Sequence, residues 1–173
     1  MHEARGLMEA STLWAVGEAL EMEPGVVAEI NIAAAHGELP APVERVRAVA
    51  GRGLEGDRNF LSRGEPQPDR DADLTLIASE ALEALGAERG LELTPAASRR
   101  NLLTRGIDLN ALVGRRFRVG EVECRGIELC QPCRHLEGLT MTGVLRGLVH
   151  RGGLRAAIIR GGEICVGDSI SPT

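Results

Sequence analysis

Arg116-Phe117-Arg118-Val119-Gly120-Glu121-Val122-Glu123-Cys124-Arg125-Gly126-Ile127-Glu128 reads as two short strands set apart by Gly120-Glu121. Phe117 and Val119, then Val122 and Cys124, alternate with charged residues, the period of two expected of half-buried strands. The same pattern recurs outward in both directions. Residues 26–32 alternate partly and residues 43–49 more strictly, and residues 74–77 and 101–104 add short strands. Residues 154–160 and 164–170 read as a last strand pair around Gly161-Gly162, a hairpin dipeptide. One good helix lies inside the body, from Ser79, read as its cap, to about Gly90. Residues 134–150 carry mixed helical signals broken by Gly138, Gly143 and Gly147. Strands that are not separated by regular helices argue against a doubly wound sheet. The expected fold is mainly β, a closed or nearly closed β-barrel with peripheral α-helices.

At 173 residues the chain suits one domain with a short extension, large enough to bury ~70% of its unfolded surface. Residues 1–22 form the expected N-terminal helical extension, with Leu7, Leu13, Trp14 and Leu20 on one face and Pro24-Gly25 ending it. Residues 23–173 form the body, interrupted at residues 62–70 by a polar, Pro-rich loop.

All 20 basic residues are Arg, which excludes a Schiff-base lysine and a Walker A lysine. Net charge is −5 and aromatic residues are 2%, so neither phosphate attraction nor base stacking supports a nucleic-acid partner. No apolar run approaches ~18 residues, so no membrane span is expected, and the cytoplasm is the expected location. Charge is nonetheless uneven. Residues 1–98 hold eight Arg against 18 acids, whereas residues 99–118 hold six Arg against Asp108 alone. That stretch is a solvated basic surface or a site for an anion such as phosphate.

Cys130-Gln131-Pro132-Cys133-Arg134-His135 is the strongest chemical cluster. A thiolate is the reactive form of cysteine, and Arg134, His135 and a helix start at Pro132 are the groups that can favour it. Three functional readings stay open. Cys130 and Cys133 are a redox pair, although the βαβ setting of such pairs is missing. Cys124, Cys130, Cys133 and His135 bind a structural zinc. Or one reactive thiolate holds a soft metal or a persulfide sulfur. Arg99-Arg100-Asn101 offers two forked guanidiniums and a carboxamide to a phosphate or a polar heterocycle. In Gly56-Asp57-Arg58 the Asp can orient the Arg to clamp an anion, or the pair simply locks a loop. Asp71 and Asp73 offer carboxylate acceptors or a turn. His36 and His150 lie in loop-like surroundings with no assigned role.

These motifs together resemble the MOSC domain, the molybdenum cofactor sulfurase C-terminal domain. The resemblance rests on residues 53–58, 74–77 with 79–82, 99–102, 112–120, 130–133, 161–164 and 167–170, and runs from about Gly25 to the C-terminus. It implies a MOSC-type β-barrel of the small stand-alone bacterial kind, working in molybdenum cofactor or sulfur chemistry. It places the family's cysteine on Cys133, as a molybdenum ligand or a persulfide-forming sulfur carrier, with His135 tuning the thiolate or shuttling a proton. Arg99, Arg100 and Asn101 would hold an anionic molybdopterin-type cofactor, retained or in passing. Arg58 would assist, held by Asp57, with Asp71, Asp73 and Arg134 nearby. Two activities follow as alternatives: molybdenum-dependent reduction of an N-oxygenated compound, or sulfur transfer. A non-catalytic persulfide delivery module is the further alternative. It would dock on a cysteine desulfurase or a cofactor-assembly protein, and any pyridoxal phosphate would belong to that partner. By this resemblance the companion barrel of larger cofactor-binding members is not expected, and Cys130 is an additional thiol that would resolve a persulfide on Cys133 or merely fill space.

Overall fold

The structure, a computed structural model, describes residues 22–62 and 72–173. The expected helix at residues 5–22 and the loop at residues 62–70 therefore lie almost wholly outside the described residues. Eleven strands are present: β1 (Gly25–Ile32), β2 (Ala41–Val43), β3 (Arg45–Val49), β4 (Gly53–Leu54), β5 (Leu74–Ala78), β6 (Leu102–Arg105), β7 (Arg116–Val119), β8 (Val122–Leu129), β9 (Leu154–Arg160), β10 (Gly162–Cys165) and β11 (Ser169–Pro172). Four α-helices accompany them among the described residues, α1 (Ser79–Arg89), α2 (Pro95–Ser98), α3 (Arg134–Leu139) and α4 (Val144–Gly147), with a 3-10 turn at Asn110–Leu112.

Seven strands close into a barrel in the order β11-β7-β8-β9-β5-β6-β1. Closure comes from β1 pairing back onto β11, Gly25 with Ile170 and Val26 with Ser169. The expected mainly β barrel with peripheral helices is therefore what the chain forms. β2 extends the sheet from the far end of β1, and β10-β3-β4 form a separate three-stranded sheet. Only β5 and β6 pair in parallel among the named strands, and a parallel pair needs a crossover, which α1 and α2 supply.

Alternation fills the barrel. Phe117, Val119, Val122, Cys124, Ala156 and Ile158 point inward with Val27, Ile30, Leu76 and Leu102 to make one apolar core. A second cluster of Leu85, Leu93, Leu136, Val144 and Leu148 packs α1, α3 and α4 together. Burying such side chains is worth about 1.5–3 kcal/mol each. Leu136 thereby seats α3, and with it the cysteine that caps α3.

Two local expectations are corrected. Ser79 is the first residue of α1 rather than its cap: Ala78 holds that position, and the Ser79 hydroxyl donates to Glu80 Oε2 at 3.2 Å. The hairpin about Gly161-Gly162 does not form. β9 pairs with β5 and β8, whereas β10 leaves the barrel to pair with β3. A β-carbon on Gly161 would come within 2.5 Å of the Ala48 carbonyl oxygen, so this glycine serves close passage across β3, not a tight turn.

Cys124 belongs to the core, fully buried opposite Phe117 and Ile158. Burial, followed by the nearby carboxylates Asp73 and Glu123, pushes its thiol up to about 12. The folded protein thus favours the neutral thiol. The stability this contributes is complete below the thiol's unfolded pKa and drains away as pH rises from there toward 12, at up to ~1.4 kcal/mol per pH unit. Urea unfolding at pH 8 and pH 10 is expected to show this alkaline loss in the native sequence and a shallower one in Cys124→Ala.

A thiol pocket lined with arginines

One pocket of about 690 Å³ gathers most of the residues singled out by the sequence. Arg58 and Asn59 come from the loop after β4, Asp73 and Thr75 from the start of β5, and Arg99, Arg100 and Asn101 from the link between α2 and β6. Cys130, Cys133, His135 and Leu136 come from the exit of β8 and from α3.

Cys133 is exposed and stands at the N-cap of α3, one residue before the helix and one later than the expected start at Pro132. Its Sγ accepts a hydrogen bond from the Leu136 amide at 3.5 Å, which fixes the sulfur on the pocket wall. His135 follows it on the same wall, whereas Arg134 is exposed and does not line the pocket. Cys130 is 4% exposed but reaches the pocket, and all four cysteines are free. The four-ligand zinc reading is corrected here. Cys124 is sealed in the barrel, and among the described residues no three His, Cys, Asp or Glu side chains come together to hold a metal.

The arginines divide by role. Arg100 spends its guanidinium on the chain itself: Nε donates to Gly152 O at 3.0 Å, Nη1 to Ser98 O at 3.3 Å and Nη2 to Cys130 O at 3.4 Å. It is a strut for the cysteine loop. Asn101 is committed likewise. Its Oδ1 accepts from the Thr75 amide and hydroxyl at 3.1 and 3.2 Å, and its Nδ2 donates to Asn31 O at 3.3 Å. Both line the pocket, yet their polar groups are turned mainly to the fold rather than to a ligand.

Arg58 and Arg99 are different. Arg58 Nη2 donates to Arg99 O at 3.3 Å, but Nη1 is buried with no hydrogen-bond partner. Asp57 lies 3.7 Å from Nη1 and is itself held by the Ala33 and Asn59 amides, so it sits behind Arg58 and locks the loop. Burial lowers the Arg58 pKa from the usual arginine value; Asp57 opposes the effect, and Arg99 and Arg100 add to it. One carboxylate, Asp57, pairs with Arg58, while the Arg99 and Arg100 guanidiniums repel it. Arg99 holds a left-handed backbone, φ 61°, at the end of α2, a conformation that costs a non-glycine residue about 1–2 kcal/mol. Its guanidinium has no hydrogen bond or ion pair among the described residues.

Asp73 lines the pocket with its Oδ2 accepting from the Ile158 amide at 2.8 Å, while Asp71 lies outside the described residues. Several lining residues carry no role in the sequence reading, His36 and Arg155 among them. His36 arrives on the loop after β1, and Arg155 on β9, where it lies 3.5 Å from Glu128. Each is isolated in sequence, and only the pairing of distant strands brings them here.

A closed seven-stranded β-barrel carries this pocket, with the exposed Cys133 thiol at the N-cap of α3 and Arg58, Arg99 and Arg100 on its lining. The MOSC domain family model matches residues 56–171, and the chain belongs to that family. Solved structures agree in fold. YuaD from Bacillus subtilis superposes with a TM-score of 0.70 at 17% identity, covering 86% of this chain and 94% of that one. YiiM from Geobacillus stearothermophilus gives 0.64 at 16% identity, covering 86% and 75%, and YiiM from Escherichia coli 0.63 at 19%, covering 86% and 69%. No curated protein matches the chain significantly. No helix among the described residues is long and apolar enough to cross a membrane.

Proposed function

We propose that the pocket binds an anionic molybdopterin-type cofactor, with Cys133 as the thiolate that meets its metal. The observation that carries this reading is the buried Nη1 of Arg58, which has no hydrogen-bond partner and only Asp57 at 3.7 Å for counter-charge, in the same pocket as the unpaired Arg99 and the Cys133 sulfur. Forked guanidiniums suit phosphate oxygens, and a single soft sulfur suits a thiophilic metal, so the residues present fit such a group. Arg58 and Arg99 bind the anion. Arg100 holds the Cys130–Cys133 loop in place through its three carbonyls. His135 can hold or give a proton at a ring nitrogen beside the thiol. When bound, the cofactor supplies a molybdenum centre capable of two-electron chemistry.

The exposure of Cys133 favours a second reading, sulfur carriage. The Cys133 thiolate attacks the terminal sulfur of a persulfide on a partner cysteine desulfurase. The partner's S–S bond breaks, its thiolate leaves, and Cys133 becomes the persulfide with no net oxidation. Pyridoxal phosphate in that case belongs to the partner.

Purification from a host that makes the cofactor, followed by metal analysis, pterin release and intact mass, separates the two. Near-stoichiometric molybdenum with a pterin supports the first reading; a thiol-labile gain of one sulfur without metal supports the second. Cys133→Ala is expected to abolish either with little loss of stability, since only the weak sulfur cap of α3 goes with it. Arg99→Gly relieves the left-handed strain, is expected to change stability by under about 1 kcal/mol, and to lower cofactor retention. Cofactor and sulfur loading that both survive Cys133→Ala would refute the assignment.

A further inference from the structure

The outer wall of the barrel formed by β7, β8 and β9 carries a second concentration of arginine, independent of what the pocket holds. Arg116 and Arg118 project from β7, Arg125 from β8 and Arg160 from β9, with Arg115 just before β7, and all five are exposed. The strand register makes them neighbours. Arg116 lies directly opposite Arg125, while Glu123 lies between Arg118 on one side and Arg160 on the other. Like charges directly opposite each other in a sheet are destabilising. Glu123 is the one carboxylate set among them, and Arg116 takes it at 2.6 Å. The next acids along are committed elsewhere: Glu121 accepts from the Glu163 amide at 2.8 Å, and Glu128 lies 3.5 Å from Arg155. Arg115, Arg118, Arg125 and Arg160 have no ion pair among the described residues. This concentration stands out in a chain of net charge −5.

Apolar side chains share the same wall. Ile127 follows Arg125 on the outward face of β8 and is 36% exposed; Ile159 on β9 is 41% exposed. A solvated basic face has no need of large exposed aliphatics. Arginine mixed with exposed apolar residues and few carboxylates is the composition of a protein interface. A nucleic-acid surface would call for stacking aromatics, and the chain has one Trp, two Phe and no Tyr.

We propose that the β7–β8–β9 wall is a docking surface for a partner protein whose facing patch is rich in carboxylates with apolar side chains among them. The partner's carboxylates supply the counter-charge that this wall lacks, and its apolar groups cover Ile127 and Ile159.

The test uses the whole chain and two acidic polymers, poly-L-glutamate and the glutamate–tyrosine copolymer, by fluorescence anisotropy across a salt series. Both are expected to bind in a salt-dependent way, the copolymer more tightly. Arg125→Glu and Arg118→Glu are expected to weaken both by roughly tenfold. Arg146→Glu makes the same change in net charge at an exposed position of α4 and is expected to leave both affinities unchanged. Ile127→Ser with Ile159→Ser is expected to weaken the copolymer alone. Arg125→Glu is also expected to raise the melting temperature, because it removes the like-charge pair with Arg116, so its binding loss is not unfolding. Absence of binding, equal effects of Arg125→Glu and Arg146→Glu, or tighter binding of duplex DNA or of phosphatidylglycerol vesicles would each overturn the proposal.

Discussion

Gly153→Ala is expected to remove about 3–5 kcal/mol of folding stability, through backbone strain and overpacking together. Gly153 holds φ 110°, outside the region an L side chain adopts, and a β-carbon there would lie 2.0 Å from the Leu76 carbonyl oxygen. That oxygen belongs to β5 in the middle of the barrel wall, so nothing flexible can move aside. The Gly153 carbonyl also accepts the Cys130 amide at 2.7 Å, and Arg100 grips the neighbouring Gly152 carbonyl. Displacing this dipeptide therefore loosens the cysteine loop as well. Against a typical total of about 5–15 kcal/mol the loss is a large fraction. Urea unfolding measures it directly; a change below about 1 kcal/mol would show that β5 and the Gly152-Gly153 turn are not in the close contact described.

Asn101→Ala is expected to cost about 2–4 kcal/mol, through buried groups left without partners. The side chain joins β5 to β1: its Oδ1 serves the Thr75 amide and hydroxyl, and its Nδ2 serves Asn31 O. Alanine leaves the Thr75 amide and the Asn31 carbonyl stranded in a site that is 5% exposed at Asn101. Asn101→Asp is a sharper probe. It keeps the acceptor for Thr75 but sets an oxygen against the Asn31 carbonyl, so it should fall well short of full rescue. If Asn101 acted only on a bound anion, Asn101→Ala would weaken retention and leave urea unfolding untouched; a stability loss in the unliganded protein assigns it to the fold.

The strands could be read from the chain because inward and outward residues alternate locally, as Phe117, Val119, Val122 and Cys124 do. Which strand pairs with which could not. Gly161-Gly162 has the composition of a hairpin, but the requirement that selects glycine there, the passage of β10 across Ala48, is set by a segment more than 100 residues earlier. The site divides the same way. Cys133, Arg58 and Arg99 could be singled out because their immediate neighbours carry thiol, charged or glycine chemistry that is legible locally, and the structure brings all three to one pocket. Arg100 and Asn101 could be found as residues, but their hydrogen bonds go to distant carbonyls and amides that local sequence does not reveal. His36 and Arg155 had no local signal at all. Cys124 did carry one: its place in the alternation with Val122 points it into the barrel and away from any shared ligand set.

Closure of the barrel between β1 and β11 sets the order of events during synthesis. Gly25 and Ile170 are partners at nearly opposite ends of the chain. Until residues 169–172 leave the ribosome, β1 and β7 each present an unpaired edge, and the thiol pocket's walls hang on an open sheet. Pairings this distant form slowly, and exposed edges invite association with other chains. The growing chain is thus most vulnerable to aggregation in the interval just before β11 arrives, and the barrel that carries the thiol pocket closes only after that strand has docked.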